Sequence, residues 1–313
     1  MTINIKALSQ DDLLAATRVC KIAFSAQLGI SNPDLFNAGA SLGARLALEP
    51  NGNYGAFDEE QLVGSIFSAN WGSVGYFGPL TVLPEYWGQG IAQKLLEPVM
   101  GNFAAGGTTC QGLFTFSNSP KHIALYQKFG FYPRFLTAIM SKSVTSAIAS
   151  NNDVVTYSSL GPQRQIECLE GLSAICDDLY VGLDLSKEVL TLESLRCGET
   201  VLLLEGESPV GFAVCHFGPG SEAENGGCYL KFAAVKRGDD AARHFRELIQ
   251  RVDHLIGTVN VSKIVAGINL ARQGAYESLL ALHFRPFTYG VLMQRPNVAA
   301  YDRPDCFVID DWR

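Results

Sequence analysis

The sequence predicts an α/β fold built on a mixed sheet and repeated as two tandem domains, and three observations carry that expectation. The chain has 313 residues, more than one domain commonly uses and enough for two cores. Strand-like and helix-like runs alternate along it, as they do where helices cover a sheet. The second half also repeats the first: Phe131-Tyr132-Pro133 with Met140 matches Phe284-Arg285-Pro286 with Met293 at an offset of 153. The same offset carries Val82 to Val235, Leu95 to Leu248 and Leu96 to Ile249, whereas Val63-Gly64 matches Val210-Gly211 at 147. The missing six positions fall in a longer Gly/Glu-rich loop, residues 218–227.

Residues 2–6 read as a first strand. Ser9-Gln10-Asp11-Asp12 then offers a helix cap ahead of Leu13, Leu14, Thr17, Val19, Cys20 and Ala23. Residues 28–49 form a second helical region broken by Gly29, Pro33, Gly39 and Gly43, either a cover for a substrate cleft or a plain connection. Runs 54–57 and 62–68, joined by Asp58-Glu59-Glu60, predict an antiparallel hairpin. The uncharged span 62–84 has the length of a membrane helix, but Ser65, Ser68, Asn70, Gly72, Ser73, Gly75 and Gly78 interrupt it, so it reads as buried strands.

Aromatic and β-branched residues fill 76–83, and Pro84 stops that strand. From Ile91 the apolar positions Ile91, Ala92, Leu95, Leu96 and Val99 recur at helical spacing, which puts Trp87-Gly88-Gln89-Gly90 on the turn between. Glycines at 88 and 90 let the backbone approach a ligand, and first-turn N–H groups with the helix dipole favour an anion such as a pyrophosphate. A short strand at 112–116, a helix through Tyr126 and a last strand at 136–142 complete the first domain, residues 1–142. Small polar residues at 144–153 read as a linker, and the second domain spans 154–313.

This loop, with Ser119-Pro120-Lys121-His122-Ile123-Ala124-Leu125-Tyr126-Gln127-Lys128-Phe129-Gly130-Phe131 some 30 residues on, resembles the two halves of the GCN5-related N-acetyltransferase (GNAT) signature. The resemblance covers most of residues 1–142 and implies an acetyl-CoA-dependent acyltransferase in which an amine attacks the thioester directly. It matches Gly88, Gln89, Gly90, Ile91 and Ala92 to main-chain pyrophosphate binding, and Thr81, Val82 and Leu83 to main-chain donors that orient the thioester carbonyl. Pro79 in that strand is consistent with a bulge or an interrupted ladder. Tyr126 is matched to the donor that protonates the leaving thiolate, and Asn118 or Ser119 to a contact with the CoA arm. Trp87 stands where the family usually has Gln or Arg, so one polar phosphate contact is missing or replaced. Lys121 is placed to meet a phosphate or to stay in solvent. A general base is not fixed by the resemblance; Glu85, Glu49, Asp34 and the 58–60 turn are the candidates.

Carried through the repeat, Gly88 falls on Ala241, Gly90 on Arg243, Ala92 on Phe245, and Tyr86-Trp87 on Asp239-Asp240. Side chains and carboxylates there oppose a pyrophosphate, which makes the second domain a degenerate copy, although Arg243 offers a side-chain donor. Tyr126 falls on Leu279, with Tyr276 one turn earlier. The acceptor expected is an amine of a small molecule or peptide. A non-catalytic acetyl-CoA sensor and an interaction scaffold are the alternatives.

The net charge of −7 argues against a nucleic-acid surface. Residues 1–12 are too short and polar for a signal peptide, and eight cysteines without a CxxC pair fit reduced thiols in a cytoplasm. The five histidines form no metal motif, so no metal is expected. Phe307, Val308, Ile309 and Trp312 argue that 307–313 is buried as a strand against a neighbour, in keeping with a homodimer face on the second domain.

Overall fold

A computed structural model describes residues 2–35, 42–144, 154–223, 226–259 and 261–313; the expected breaker Gly39 and the linker 145–153 lie outside the described residues. The first half runs β1 (Ile3–Ala7), α1 (Leu13–Leu28), α2 (Leu42–Leu48), β2 (Tyr54–Asp58), β3 (Gln61–Trp71), β4 (Val74–Val82), α3 (Ile91–Ala105), β5 (Cys110–Phe116), α4 (Pro120–Gln127) and β6 (Tyr132–Ser143). The second half runs α5 (Pro162–Leu179), α6 (Ser186–Leu195), β7 (Gly198–Glu205), β8 (Ser208–Phe217), β9 (Gly227–Val235), α7 (Ala241–Thr258), β10 (Lys263–Asn269), α8 (Gln273–Ala281), β11 (Arg285–Arg295) and β12 (Val308–Ile309). The repeat read from sequence is structural. β4 and β9, β5 and β10, α4 and α8, and β6 and β11 begin 153 positions apart, and β3 and β8 begin 147 apart.

All twelve strands share one mixed sheet in the order β1-β2-β3-β4-β5-β11-β6-β10-β9-β8-β7, with β12 on β9. The uncharged span forms the β3–β4 hairpin, joined at Gly72-Ser73. Sequence reasoning did not foresee what happens at the centre: the strand that ends each repeat, β6 or β11, is given to the other half. β11 pairs with β5, Gly290 opposite Phe116, while β6 pairs with β10, Ala138 opposite Ile268. β6 and β11 also pair with each other, so the exchange closes the sheet through the middle.

Burial follows the same plan. One apolar cluster packs α1, α2 and α3 against β3 and β4, around Phe67, Leu95 and Leu96. A second packs α7 and α8 against β8, β9 and β10, around Phe245 and Leu248. A third joins the halves, with Trp71, Tyr76 and Cys110 packed among Leu172, Phe232, Tyr301 and Trp312. Length alone suggested two cores; the shared third makes the two halves one packed body.

β12 pairs antiparallel with β9, Val308 opposite Ala234 and Ile309 opposite Ala233. The expected burial of 307–313 is therefore met within the chain. Beyond β12 the tail crosses to the first half, where Arg45 donates to the carbonyls of both Gly78 and Arg313.

Candidate active site

The central strand of the first half splits from its neighbour. β4 pairs in parallel with β5 only over Val74–Tyr76, the last pair being Tyr76 opposite Gly112. Gly78 and Pro79 then bulge against β3, where the register shifts between Ile66 and Ser68. Past that point the β5 side of β4 has no strand partner among the described residues. Leu83 N–H donates to the Val63 carbonyl at 2.9 Å, so by ladder alternation the Thr81 N–H also points to β3. The N–H groups of Val82 and Leu80 point the other way, into the split. Of the three residues expected to orient a carbonyl, only Val82 presents a free N–H, and Leu80, which sequence reasoning missed, supplies the other.

Pro84 ends the strand, a short turn follows, and Gly88 and Gly90 then adopt left-handed φ of +80° and +74° before α3 begins at Ile91. This aims the first-turn N–H groups of α3 outward, at the positive end of a helix that runs to Ala105. The Trp87 indole Nε1–H donates to the Val82 carbonyl at 2.7 Å, tying the turn back to the end of β4. On the opposite wall, α4 presents Tyr126.

These pieces meet in one cleft of about 470 Å³, lined by Leu80, Thr81, Val82, Tyr86, Trp87, Gly88, Gly90, Ile91, Ala92 and Tyr126, with Phe24 and Gln27 of α1, Phe116 of β5, Lys121 and His122 of α4 and Lys128 just past its end beside them. Eight of the twelve residues expected from sequence line it. Leu83 is buried behind the wall with its N–H used, and exposed Gln89 turns its amide to the Glu85 carbonyl at 3.3 Å. Ser119 caps α4 and is buried, and Asn118 is exposed beside it; neither faces the cleft.

Tyr126 packs against the ring of Phe77, which in turn meets Phe131, and is 7% exposed. Burial pushes its phenol well above the usual value, against the opposing pull of a hydrogen bond with Thr115. It therefore stays a neutral O–H donor through the working range. His122, one turn earlier and beside Phe116, is held below its usual value by burial and by neighbouring Lys121. Among the described residues no carboxylate lines the cleft: its charged side chains are Lys121 and Lys128. A chain of net charge −7 thus keeps a positive cleft. The acids considered as bases lie elsewhere. Glu49 pairs with Lys187 at 2.9 Å, Asp58 accepts from Tyr86 at 3.1 Å, and Glu85 is exposed outside the cleft.

The same positions in the second half are closed. α7 starts at Ala241, one turn earlier than the counterpart of Ile91, so the residues matched to Gly88–Gly90 are helical. Arg243 is engaged by Glu205, Asp240 and Glu247, each at 3.1 Å, and its guanidinium is held above its usual value by those bonds. Ala233 and Ala234, the counterparts of Leu80 and Thr81, are the two residues that β12 pairs with. Leu279 replaces Tyr126 in the core, and the Tyr276 hydroxyl bonds with Tyr289 instead.

A separate ionic cluster is sealed between the halves. Lys231 Nζ lies 2.8 Å from Glu188 and bonds Glu222 as well, Arg45 reaches Glu222 at 2.8 Å, and Trp71 donates to Glu188 at 3.0 Å. Burial alone would raise the Glu188 carboxyl; Lys231 and His216 outweigh it and hold the group at about 2. Glu188, His216 and Glu222 offer ligand atoms within 4.8 Å of one another, but the Lys231 ammonium fills the place of a cation among them. All eight cysteines are free and buried, and burial pushes Cys20 and Cys110 up to about 12, which makes them poor nucleophiles. Among the described residues no helix is long and apolar enough to cross a membrane.

Residues 23–131 match the model of the acetyltransferase (GNAT) family. No curated protein matches the sequence. Among solved structures, a Pyrococcus horikoshii protein provisionally assigned as an acetyltransferase is similar at 14% identity, over 99% of this chain and 95% of its own, with a TM-score of 0.68. A GCN5-related N-acetyltransferase from Sphaerobacter thermophilus is similar at 13% identity over 96% and 98%, with a TM-score of 0.59. A tandem GNAT protein from the clavulanic acid biosynthesis pathway is similar at 13% identity over 94% and 98%, with a TM-score of 0.56. At such identities the likeness is one of fold.

Proposed function

Because residues 23–131 belong to the acetyltransferase (GNAT) family, we propose that the first half of the chain moves an acetyl group from acetyl-CoA to an amine of a small molecule or peptide. In this reading residues 1–142 form the working domain, and 154–313 a degenerate one that binds no acetyl-CoA. The observation that carries it is the convergence, in one cleft, of the Gly88–Gly90 loop at the start of α3, the unpaired run of β4 and the Tyr126 phenol.

Each part answers one need of the reaction. Main-chain N–H groups from Gly88 to Ala92 hold the pyrophosphate at the positive end of α3. The thioester supplies an activated acyl carbon. Leu80 and Val82 N–H groups donate to its carbonyl oxygen as negative charge develops there, a preorganised stabilisation that needs no rearrangement. As the C–N bond forms and the C–S bond breaks, Tyr126 donates its proton toward the departing thiolate, and the amine gives up a proton to water.

Calorimetric titration of acetyl-CoA into the intact protein, beside Gly90→Arg, tests this. One site per chain is expected, weakened about a hundredfold or more in the variant, since two charge-assisted N–H contacts are worth roughly 3–6 kcal/mol. No binding to the unaltered protein would sink the reading, and two sites would sink the assignment of the second half as silent.

A further inference from the structure

Trp87 stands where the resemblance implies a polar side chain toward the phosphates, and another element brings a cation to its face. The indole is fixed along its edge by the bond from Nε1–H to the Val82 carbonyl at 2.7 Å, and it stays 38% exposed. Over its face, 4.6 Å from the ring centroid, lies the ammonium of Lys121, carried on the first turn of α4. An aromatic face attracts a cation and fixes its place without neutralising it. No carboxylate of the described residues lines this cleft, so the charge of Lys121 remains available to a ligand. Trp87 and Lys121 line the same cleft as Gly88 and Gly90, Trp87 from the loop itself and Lys121 from α4.

We propose that Lys121, positioned on the Trp87 indole, is the side-chain anchor for the pyrophosphate of acetyl-CoA. The inference rests on the acetyl-CoA reading of the same cleft and adds the residue that takes over the missing polar contact. Lysine suits the role as a mobile point charge, and the ring limits the positions it samples before the ligand arrives. The second half offers a contrast: Trp87 falls on Asp240 and Lys121 on Gly274, so neither partner is kept there.

The test compares three probes in calorimetric titrations of the full chain: acetyl-CoA, acetyl-dephospho-CoA, which lacks the 3′-phosphate, and acetyl-pantetheine, which lacks all phosphates. Lys121→Met should weaken acetyl-CoA and acetyl-dephospho-CoA about equally, by roughly tenfold, and leave acetyl-pantetheine unchanged. Because Lys121 is exposed on a helix surface, this variant keeps the fold. Trp87→Ala should lose a comparable factor, and the double variant little more than either single one, as expected of two residues acting together. Unchanged affinity in Lys121→Met, with the unaltered protein binding normally, would overturn the inference alone. A loss confined to acetyl-CoA would move Lys121 to the 3′-phosphate and overturn the pyrophosphate assignment. Failure of the unaltered protein to bind acetyl-CoA at all would overturn the parent reading as well.

Discussion

The two halves follow the same order of helices and strands, yet the first leaves a gap beside its central strand and the second fills that gap with its own chain. In the first, β4 separates from β5 after Tyr76 and its outward N–H groups face the cleft. In the second, β9 separates from β10 after Leu230, and β12 completes the ladder at Ala233 and Ala234. The same contrast recurs at the loop, where two left-handed glycines keep N–H groups free on one side and an extra helical turn consumes them on the other. An open, unpaired backbone is costly to bury and useful only when a ligand completes it. In the second half the chain satisfies the matching groups itself, through β12. The lost glycines and the gained β12 are two expressions of one change.

The largest test of that contrast is at β12. Ile309 has no exposed surface and packs into the apolar cluster of the second half. Ile309→Ala should destabilise the protein by about 2–4 kcal/mol, the range for truncating a buried aliphatic side chain, as read from urea denaturation. A stability unchanged within error would mean that the tail only rests on the second half and does not belong to its core.

Tyr126→Phe comes next in size. Once an acceptor amine is in hand, kcat should fall roughly 10–100-fold with KM for acetyl-CoA nearly unchanged, because the phenol acts on the leaving thiolate and not on the phosphates. The phenol's upward displacement by burial fixes the sign of the pH effect: its neutral, donating form persists as pH rises through 10. The kcat profile of the unaltered enzyme should therefore show no falling limb from Tyr126 near pH 10. An unchanged kcat in Tyr126→Phe would reduce the first half to a binding domain and erase its catalytic difference from Leu279.

Much of the working side of this comparison was legible in sequence, because its signals are local. Gly88, Gly90, the stop at Pro84 and the Tyr126 helix each lie within one turn or one element, where spacing and backbone chemistry decide the structure. The repeat was legible too, and with it the loss of the glycines. The strand exchange was not: β6 and β11 are equivalent in the repeat and share the pattern Phe-x-Pro followed by Met, so either fits beside β5 by sequence alone. The free N–H of Leu80 depends on the phase of a ladder that a bulge at Gly78-Pro79 resets, which no periodicity reveals. Arg45, Glu188, Glu222 and Lys231 lie at distant positions in no shared motif, and only the packing of α2 and α6 with the central strands brings them into one buried cluster. The Trp87–Lys121 pair likewise joins two motifs 34 positions apart.

The smallest expected effect also tests most sharply the proposal that the second half binds no acetyl-CoA. If its failure to bind acetyl-CoA came from one bulky side chain, Arg243→Gly would restore a glycine where Gly90 stands in the first half and bring back some affinity. The structure argues otherwise. The N–H of His244 is already bonded to the Asp240 carbonyl at 2.9 Å, Phe245 is fully buried behind it, and β12 occupies the ladder beside Ala233. Removing the guanidinium leaves Asp240 and Glu247 without this partner and Glu205 with His244 alone, which adds negative charge where a pyrophosphate would have to come. Titration of Arg243→Gly with acetyl-CoA should thus keep the stoichiometry of the unaltered protein, one site per chain, with the first site's affinity unchanged. A second site appearing in that variant would show that the backbone of the second half remains competent and that a single side chain closes it.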